Sequence, residues 1–515
     1  MSRIRTLIAA ASARWGLDQT ESRFAREATA LYAPIPAPSG EEPMRILVQL
    51  SPDYQCLIKF LGAIQAEGKG HAECVGLWHQ NVMSAPYCER FSMPRRLVRR
   101  LFNLLDFLKW KRLYHAIGVR SFVNLEVSPL TSLSNFRQAN RIWRGLKSKE
   151  DVLAISLNGT DCGTLIYDTY LRYRVQPTVN VSDRYLRMLI VQALNAQAAI
   201  RRHLAKGRFD RLYTNYASYI QHGIPVREAL RAGVEVYACG NLSQVYKKLA
   251  VDDPLHTEPH WHYVERFAGI ADKHAARSQA EAVLEKRFAG GIDKATAYMK
   301  TSAYAAGAPG ALSDGIEGVV FLHDFFDSPH HFRHMLFPDF DNWVRFTLDT
   351  IVREKLPLAI KAHPNQLPES AVLVEQLKRD YPTVTFLDPK LSNAIIFRSG
   401  IKCGVSVYGT VLGELAYHGI PALAGGDHPH IDFDIAITPI SIEDYRQKLV
   451  GFRELKAPAN AREQMLEFYY THQIMPSDDL VVDFGALDVN RLEQNQSRAL
   501  ATVMSTYEPF VKARA

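Results

Sequence analysis

Several short segments carry residue types suited to chemistry on phosphate and sugar. The sharpest is Ala362-His363-Pro364-Asn365, which follows an apolar run ending at Lys361. Pro364 fixes the turn, and a histidine just past a buried strand can donate a hydrogen bond to a phosphate oxygen lying at the end of the sheet. A turn histidine without a ligand is the alternative for a single His-Pro pair. The second segment runs from Val405-Ser406-Val407-Tyr408-Gly409-Thr410 through Glu414 to Pro421 and reads as strand, small-residue turn, short helix, glycine stop and strand. Gly409 lets the backbone approach a ligand closely, and the N–H groups around Thr410 at the helix start suit a phosphate. Glu414 follows one turn later on the same side, where a carboxylate accepts from both hydroxyls of a ribose. The competing reading makes Gly409 and Gly419 plain caps and Glu414 a solvated helix residue.

A third segment, Phe321 to His331, crowds His323, Asp324, Asp327, Ser328, His330 and His331 into one loop. Imidazole and carboxylate together suit Zn, Mn or Fe, but the spacing follows no metal motif. Contacts to sugar or phosphate from Asp324, Asp327 and Ser328, with His323 near the reacting atoms, are expected, and no metal; a purely structural polar loop is the alternative. In the first half, Leu157-Asn-Gly-Thr-Asp161-Cys-Gly runs from an expected strand through a glycine-bracketed turn. Asp161 is the first candidate here for a general base, and Asp168 the second. A helix N-cap is the other role open to Asp161. The turn Thr214 to Gly223 offers Asn215, Tyr219 and His222 to an acceptor, since aromatic faces stack on sugar rings; packing is the alternative.

The elements that must position these residues form an α/β rhythm. Buried-strand runs at Arg45–Leu50 and Cys74–Trp78, then Val152–Leu157, Arg211–Thr214 and Val234–Ala238, alternate with helical stretches. The rhythm restarts at Gly318–Leu322, Leu358–Lys361, Val384–Leu387, Cys403–Val407 and Pro421–Ala424. The expected organisation is an N-terminal helical segment (1–43), a Rossmann-like domain (44–251), a helical connecting region (252–314), a second Rossmann-like domain (315–457) and C-terminal helices (458–515). Two doubly wound domains facing a cleft would place ligands at the carboxyl ends of their strands.

The pairing of His363-Pro364 with the block from Ser406 to Pro421 resembles the nucleotide-binding half of GT-B glycosyltransferases, especially the capsule polysaccharide biosynthesis group with its β-Kdo transferases, and is similar in plan to GT-B bacterial sialyltransferases. The likeness spans roughly 319–426. It implies a GT-B fold, a CMP-sugar donor held by the His-Pro turn and a Ser/Thr-rich turn (here His363, Ser406 and Thr410), and catalysis without a bound metal or cofactor, the nucleotide sugar being a co-substrate.

Composition agrees with a soluble globular chain: 515 residues, 47% apolar and 22% charged, with 30 Gly and 26 Pro spread along it, which excludes collagen-like and disordered classes. Six scattered cysteines without CxxC spacing argue against a disulfide framework or structural zinc and suit a reducing cytoplasm. Met1 to Ala13 faintly imitates a signal peptide, but its apolar stretch is short and Arg14 follows at once, so an N-terminal helix is expected. Net charge is +7, and most of the excess sits in Arg95, Arg96, Arg99, Arg100, Lys109, Lys111 and Arg112 against Asp106. Within Pro94–His115 apolar residues recur at helical spacing, so this basic amphipathic helix, with Trp110 interleaved, either lies on an anionic membrane face or packs on its own domain. No nucleic-acid-binding module accompanies the patch.

The function expected is transfer of a sugar from a nucleotide donor to a surface polysaccharide (capsule or lipopolysaccharide) or lipid-linked acceptor, by a cytoplasmic enzyme at or near the inner membrane, through direct displacement of the inverting kind. A GT-B-shaped UDP-sugar 2-epimerase, a CDP-alditol phosphotransferase and a non-catalytic binding protein of a polysaccharide assembly complex are the rivals.

Overall fold

The computed structural model describes residues 16–31, 42–51, 56–57, 60, 72–78, 93–238, 247–257, 262–291, 302–304 and 311–475, apart from the side chains of 30–31, 93–103 and 106. The expected helix at Met1–Ala13, residues 476–515 of the C-terminal segment and the side chains of Arg95, Arg96, Arg99 and Arg100 lie outside the described residues. Contacts divide the chain into two compact units. Residues up to Arg174 and Asn180–His256 belong to the first, and Val175–Val179 with Thr257–Met475 to the second.

The first unit contains α1 (Gln19–Leu31), β1 (Met44–Gln49), β2 (Ala72–Trp78), α2 (Met93–Ala116), β3 (Val119–Asn124), α3 (Pro129–Gly145), α4 (Lys149–Leu153), β4 (Ser156–Leu157), β5 (Thr160–Asp161), α5 (Gly163–Tyr170), α6 (Arg184–Lys206), β6 (Arg211–Thr214), α7 (Tyr219–Arg231), β7 (Glu235–Ala238) and β8 (Lys247–Leu249). Its main sheet has the order β3-β2-β1-β6-β7-β8, parallel except where β8 runs against β7. Alternation along β1 explains why both faces are covered: Ile46 and Val48 join Phe24, Leu113 and Tyr114, while Leu47 meets Val226 and Ala229 of α7.

Three expectations change here. Val152–Leu157 is not a sheet strand. Ser148 and Asp151 form a capping box that starts α4, and β4 pairs only with β5 in a hairpin outside the main sheet. Asn158 and Gly159, at φ 48° and 84°, turn it, as an Asn-Gly pair between short extended runs is suited to do. Val119–Asn124 is a sheet strand that alternation interrupted by Arg120 concealed. On α2 the apolar side enters the core: Trp110, Leu113 and Tyr114 are buried, and Lys109 pairs with Glu21 of α1 at 2.6 Å, leaving Leu104 and Leu108 exposed. No helix among the described residues is long and apolar enough to cross a membrane.

The second unit contains α8 (Tyr263–Ala268), α9 (Lys273–Phe288), β9 (Gly318–Phe321), α10 (Phe340–Glu354), β10 (Leu358–Lys361), α11 (Pro368–Asp380), β11 (Phe386–Leu387), α12 (Asn393–Arg398), β12 (Cys403–Ser406), α13 (Val411–Tyr417), β13 (Ala422–Ala424), α14 (Ile442–Val450) and α15 (Ala461–Tyr469). The sheet is wholly parallel in the order β11-β10-β9-β12-β13. Val320, Ile360 and Val405 pack on one face, and Val319, Phe321 and Ala359 on the other. α8 and α9 are part of this unit and not a connector, since Arg277 of α9 binds Glu467 of α15. A short piece from far upstream completes it: Thr178 Oγ1 donates at 2.6 Å to Asp339, the residue that caps α10 through the N–H of Asn342.

Each unit thus has its own doubly wound, Rossmann-like sheet, with five parallel strands in the sequential order 3-2-1-4-5. The end of α4 leaves no room at Gly163, where a Cβ would sit 1.9 Å from the Leu153 carbonyl oxygen. Gly163→Ala is expected to lower stability by ~1–3 kcal/mol in urea denaturation. Gly145→Ala, with nothing within 4 Å of the added carbon, should be neutral or stabilising by up to about 1 kcal/mol. Equal midpoints for the two variants would show that the α4–α5 contact is looser than described.

Candidate functional site

In the second unit the strand order reverses between β9 and β12, so the segments leaving these strands diverge and open a crevice. A cavity of about 250 Å³ lies there, lined by His323 after β9, Lys361 and His363 at the end of β10, and Ser406, Tyr408, Gly409 and Thr410 after β12. Arg287 from α9, Tyr304, Asn393 of α12 and Glu414 of α13 also line it. Ser406 Oγ donates to the Phe321 carbonyl at 3.1 Å and stitches the two diverging strands together. Thr410 is exposed and stands at the N-cap of α13 without a side-chain capping bond.

Glu414 does not face solvent as a free ribose acceptor. It is buried, ion-paired with Arg287 through one oxygen, and accepts from the Tyr304 hydroxyl through the other at 2.6 Å. Burial, and then the neighbouring carboxylate, holds the Tyr304 phenol well above its usual range. Lys361 is also buried, at 2% exposure. Desolvation lowers its ammonium to about 8, against the opposing pull of Glu414 and Asp388.

His363 is half-buried and its imidazole is lowered to about 4, first by desolvation and then by the neighbouring His323 and Lys361 charges. Its Nδ1 accepts the Asn365 N–H at 3.1 Å. A neutral ring that accepts at Nδ1 carries its proton on Nε2, so His363 is a fixed donor without charge. The same turn recurs at His428-Pro429-His430, where His428 Nδ1 accepts the His430 N–H at 3.2 Å and Pro429 lines the cavity. This second His-Pro turn, Lys361 and Arg287 are the site features the sequence reading passed over. A lysine closing an otherwise apolar strand was a usable signal for the first cation. Nothing in the spacing of α9 marked Arg287.

The remaining expected residues separate. Asp324 is engaged by its own loop: its carboxylate accepts from the N–H groups of Phe326 and Leu367 and from Ser370 Oγ, so it braces the start of α11 instead of reaching a sugar. Asp327 accepts the Ser328 N–H, and His331 stands 3.9 Å from its carboxylate. Ser328 is fully buried, and its carbonyl takes the Tyr408 hydroxyl at 2.9 Å, with the Tyr408 ring against His323, Phe332 and Phe340. Tyr408 therefore walls the cavity more than it offers a polar group. Pro364 lines it beside His363.

Asp161 and Asp168 belong to the first unit. Asp161 is exposed on β5, its carbonyl taken by the Arg227 guanidinium, and the residue capping α5 is Cys162. Asp168 is buried within α5, where its charge supports the half-buried Arg227. Tyr219 and His222 both meet Tyr216, past the end of β6. Tyr219 adopts φ 60° and stacks on Tyr216 with centroids 5.8 Å apart, the His222 ring is also 5.8 Å from Tyr216, and Asn215 Oδ1 is buried without a hydrogen-bond partner. Among the described residues no group of three or more His, Cys, Asp or Glu is placed to hold a metal ion.

No family model matches the chain, and no curated protein matches it. Among solved structures it is similar to a spinosyn rhamnosyltransferase (11% identity over 89% of this chain and 100% of that one, TM-score 0.27). A UDP-GlcNAc 2-epimerase from Neisseria meningitidis bound to UDP-GlcNAc matches at 8% identity over 83% and 99%, TM-score 0.22. A CDPS from Fluoribacter dumoffii matches at 11% identity over 37% and 86%, TM-score 0.25. Likeness this remote assigns no activity, and the residues themselves must carry the functional reading.

Two outcomes follow from the buried charges. Glu414→Ala strands Arg287 in the interior and is expected to cost ~3–5 kcal/mol in chemical denaturation, with the Arg287→Met/Glu414→Leu pair recovering most of it. A loss under 1 kcal/mol would mean the pair is solvated. The second concerns imidazoles kept neutral by burial, His363 at about 4, His428 at about 3 and His430 well below its usual range. The unfolded chain takes up protons first, so stability is intact above about pH 6.5 and falls as the pH drops toward those folded values. For the fully buried His428 and His430 the slope is roughly 1.4 kcal/mol per pH unit each. Urea midpoints at pH 7 and 5 should differ strongly, and less so in His430→Leu. A flat profile would contradict the neutral assignment.

Proposed function

We propose that the chain is a nucleotide-sugar-dependent glycosyltransferase of GT-B type, with its donor site in the cavity of the second unit. The observation that carries this reading is the convergence, at the strand-order reversal of a Rossmann-like sheet, of an uncharged donor at His363, the buried ammonium of Lys361 and the exposed hydroxyl of Thr410. Ligand pockets commonly span ~300–1,000 Å³, so a cavity of about 250 Å³ suits the nucleotide portion of a donor, with the sugar reaching beyond it. A CMP-sugar is the donor favoured, on the likeness of the His-Pro and Ser406–Thr410 segments to the capsule-type enzymes, and a surface polysaccharide or lipid-linked glycan is the acceptor class.

In this mechanism the sugar leaves its nucleotide by direct displacement. His363 Nε2–H donates to the phosphate oxygen that gains charge as the glycosidic bond breaks, and because the ring is neutral it does so without an ionisable charge of its own. Asp161 serves as general base toward the acceptor hydroxyl, exposed and therefore able to meet one, with Asn215, Tyr219 and His222 contacting the acceptor. Attachment to the cytoplasmic face of an anionic membrane belongs to the same reading. It rests on the basic character of α2 with Leu104 and Leu108 exposed, since the rest of its described apolar side is used in the core.

A thermal-shift panel of CMP, CDP, UDP, GDP and dTDP tests the donor site, since a ligand at 100 times its dissociation constant adds ~2.7 kcal/mol. CMP is expected to raise the melting temperature most, and His363→Ala to weaken that binding while leaving the unliganded melt near wild type. Asp161→Asn should keep nucleotide affinity and lose ~10²–10⁴-fold in turnover. No response to any nucleotide would refute the reading, and release of a free 2-epimerised sugar from a UDP-sugar would transfer it to the epimerase class.

A further inference from the structure

We propose that Lys361 is the cation against which a ligand's phosphate is set, and that phosphate enters this cavity together with a proton. The ligand's identity rests on the donor-site reading above; the anion site itself does not.

The argument begins with the strand. Leu358 and Ile360 point to one buried face of the sheet, so alternation sends Ala359 and Lys361 to the other. β10 ends at Lys361, and its side chain lines the cavity at 2% exposure. Among the described residues no hydrogen-bond acceptor or carboxylate stands within bonding distance of its ammonium. A buried charge left in this state is costly, by several kcal/mol on general grounds, unless a counter-ion reaches it.

The groups around it cannot supply one. Glu414 on α13 is the strongest attraction felt by Lys361, yet its two oxygens are committed to Arg287 of α9 and to Tyr304. Asp388, after β11, is exposed and turned to the N–H of Lys390. His363 on the same loop is neutral, His323 after β9 packs on Tyr408 and Phe340, and Asn393, Ser406 and Thr410 carry no charge. Arg287 and Glu414 cancel. Among the described residues the cavity is left with one uncompensated cation, a fixed N–H donor at His363 and no free carboxylate, and the ligand chemistry that answers all three is a phosphate.

Linkage gives the sign. Without ligand the ammonium titrates at about 8, and a phosphate beside it holds the proton and raises that value. For a dianionic phosphate, affinity is therefore complete below about pH 8, down to the pH at which the phosphate itself takes up a proton, and falls about tenfold per unit above pH 8 until the pKa of the complex is reached. His363, at about 4, and Tyr304, well above the ordinary phenol, do not change charge across pH 7–9.

The test is isothermal titration calorimetry of the full chain with CMP and, separately, with inorganic phosphate, at pH 7 and pH 9, each in two buffers of different protonation enthalpy. The expected result is binding about tenfold weaker at pH 9 than at pH 7, with close to one proton taken up per ligand at pH 9, where both probes are dianionic, and at pH 7 little exchange with CMP but proton release from inorganic phosphate, which is itself partly protonated there. Lys361→Met, with its fold checked by circular dichroism, should bind weakly at both pH values and lose the proton uptake, which also separates Lys361 from His323. Equal affinity at the two pH values without proton uptake in the wild-type protein overturns the proposal whether or not the variant folds. So does a folded Lys361→Met that keeps the wild-type pH dependence, and so does a failure of both probes to bind at pH 7. Proton-coupled binding of inorganic phosphate but not of CMP would uphold the anion site and remove the nucleotide reading.

Discussion

Glu414 sits on a seven-residue helix with only 3% of its surface exposed, and a carboxylate in that position has to be answered by charge and by hydrogen-bond donors. Arg287 supplies the charge from a helix more than a hundred residues upstream, and Tyr304 supplies a proton donor from the segment between. Next to Tyr304, the Ala303 carbonyl accepts the N–H of Asn393 at the start of α12. One carboxylate thereby draws α9, residues 302–304, α12 and α13 around the end of the sheet. A hydrophobic replacement of equal volume could hold the same segments together, but it would not leave the cavity's electrostatics balanced around a single lysine.

The His-Pro turns show how a cavity can be lined with donors and still contain little charge. In both turns the imidazole accepts the amide two residues on, and proline, which has no N–H, stands between. The ring orientation and the position of its proton are settled by one local bond before any ligand arrives. His428 then donates onward to Thr438 at 2.9 Å, so its turn is structural, whereas His363 lines the cavity. The same dipeptide serves support in one place and contact in the other, according to what lies beyond Nε2.

Much of the second unit was legible because its strands are short, apolar and separated by glycine and proline, and because ligand-facing loops follow strands in a doubly wound sheet. His363, Ser406, Gly409 and Thr410 meet at one cavity as their places after β10 and β12 imply. Glu414 was misread for a physical reason: in a helix buried from Leu412 to Tyr417 no polar face exists to orient the carboxylate. Its true partners lie on separate segments that no local periodicity connects. Asp324 misled similarly, since a carboxylate that caps its own loop has the same residue type as one that meets a ligand. In the first unit β3 was hidden by the charge at Arg120, and the stretch around Val152 was taken for sheet although Ser148, Asp151 and the Asn158-Gly159 pair spell a capped turn and a hairpin.

The bond from Thr178 to the cap of α10 has a consequence for how the molecule comes into being. Its two partners are separated by 161 positions, and synthesis at ~5–20 residues per second keeps Thr178 waiting roughly 8–30 s for Asp339 to leave the ribosome. The nascent first half therefore emerges holding a strand of chain that belongs elsewhere. A gene fragment beginning at Thr257 would encode a second unit without its residue 178, so the boundary at which this chain could be split, shuffled or donated to another protein does not coincide with the boundary between its two sheets.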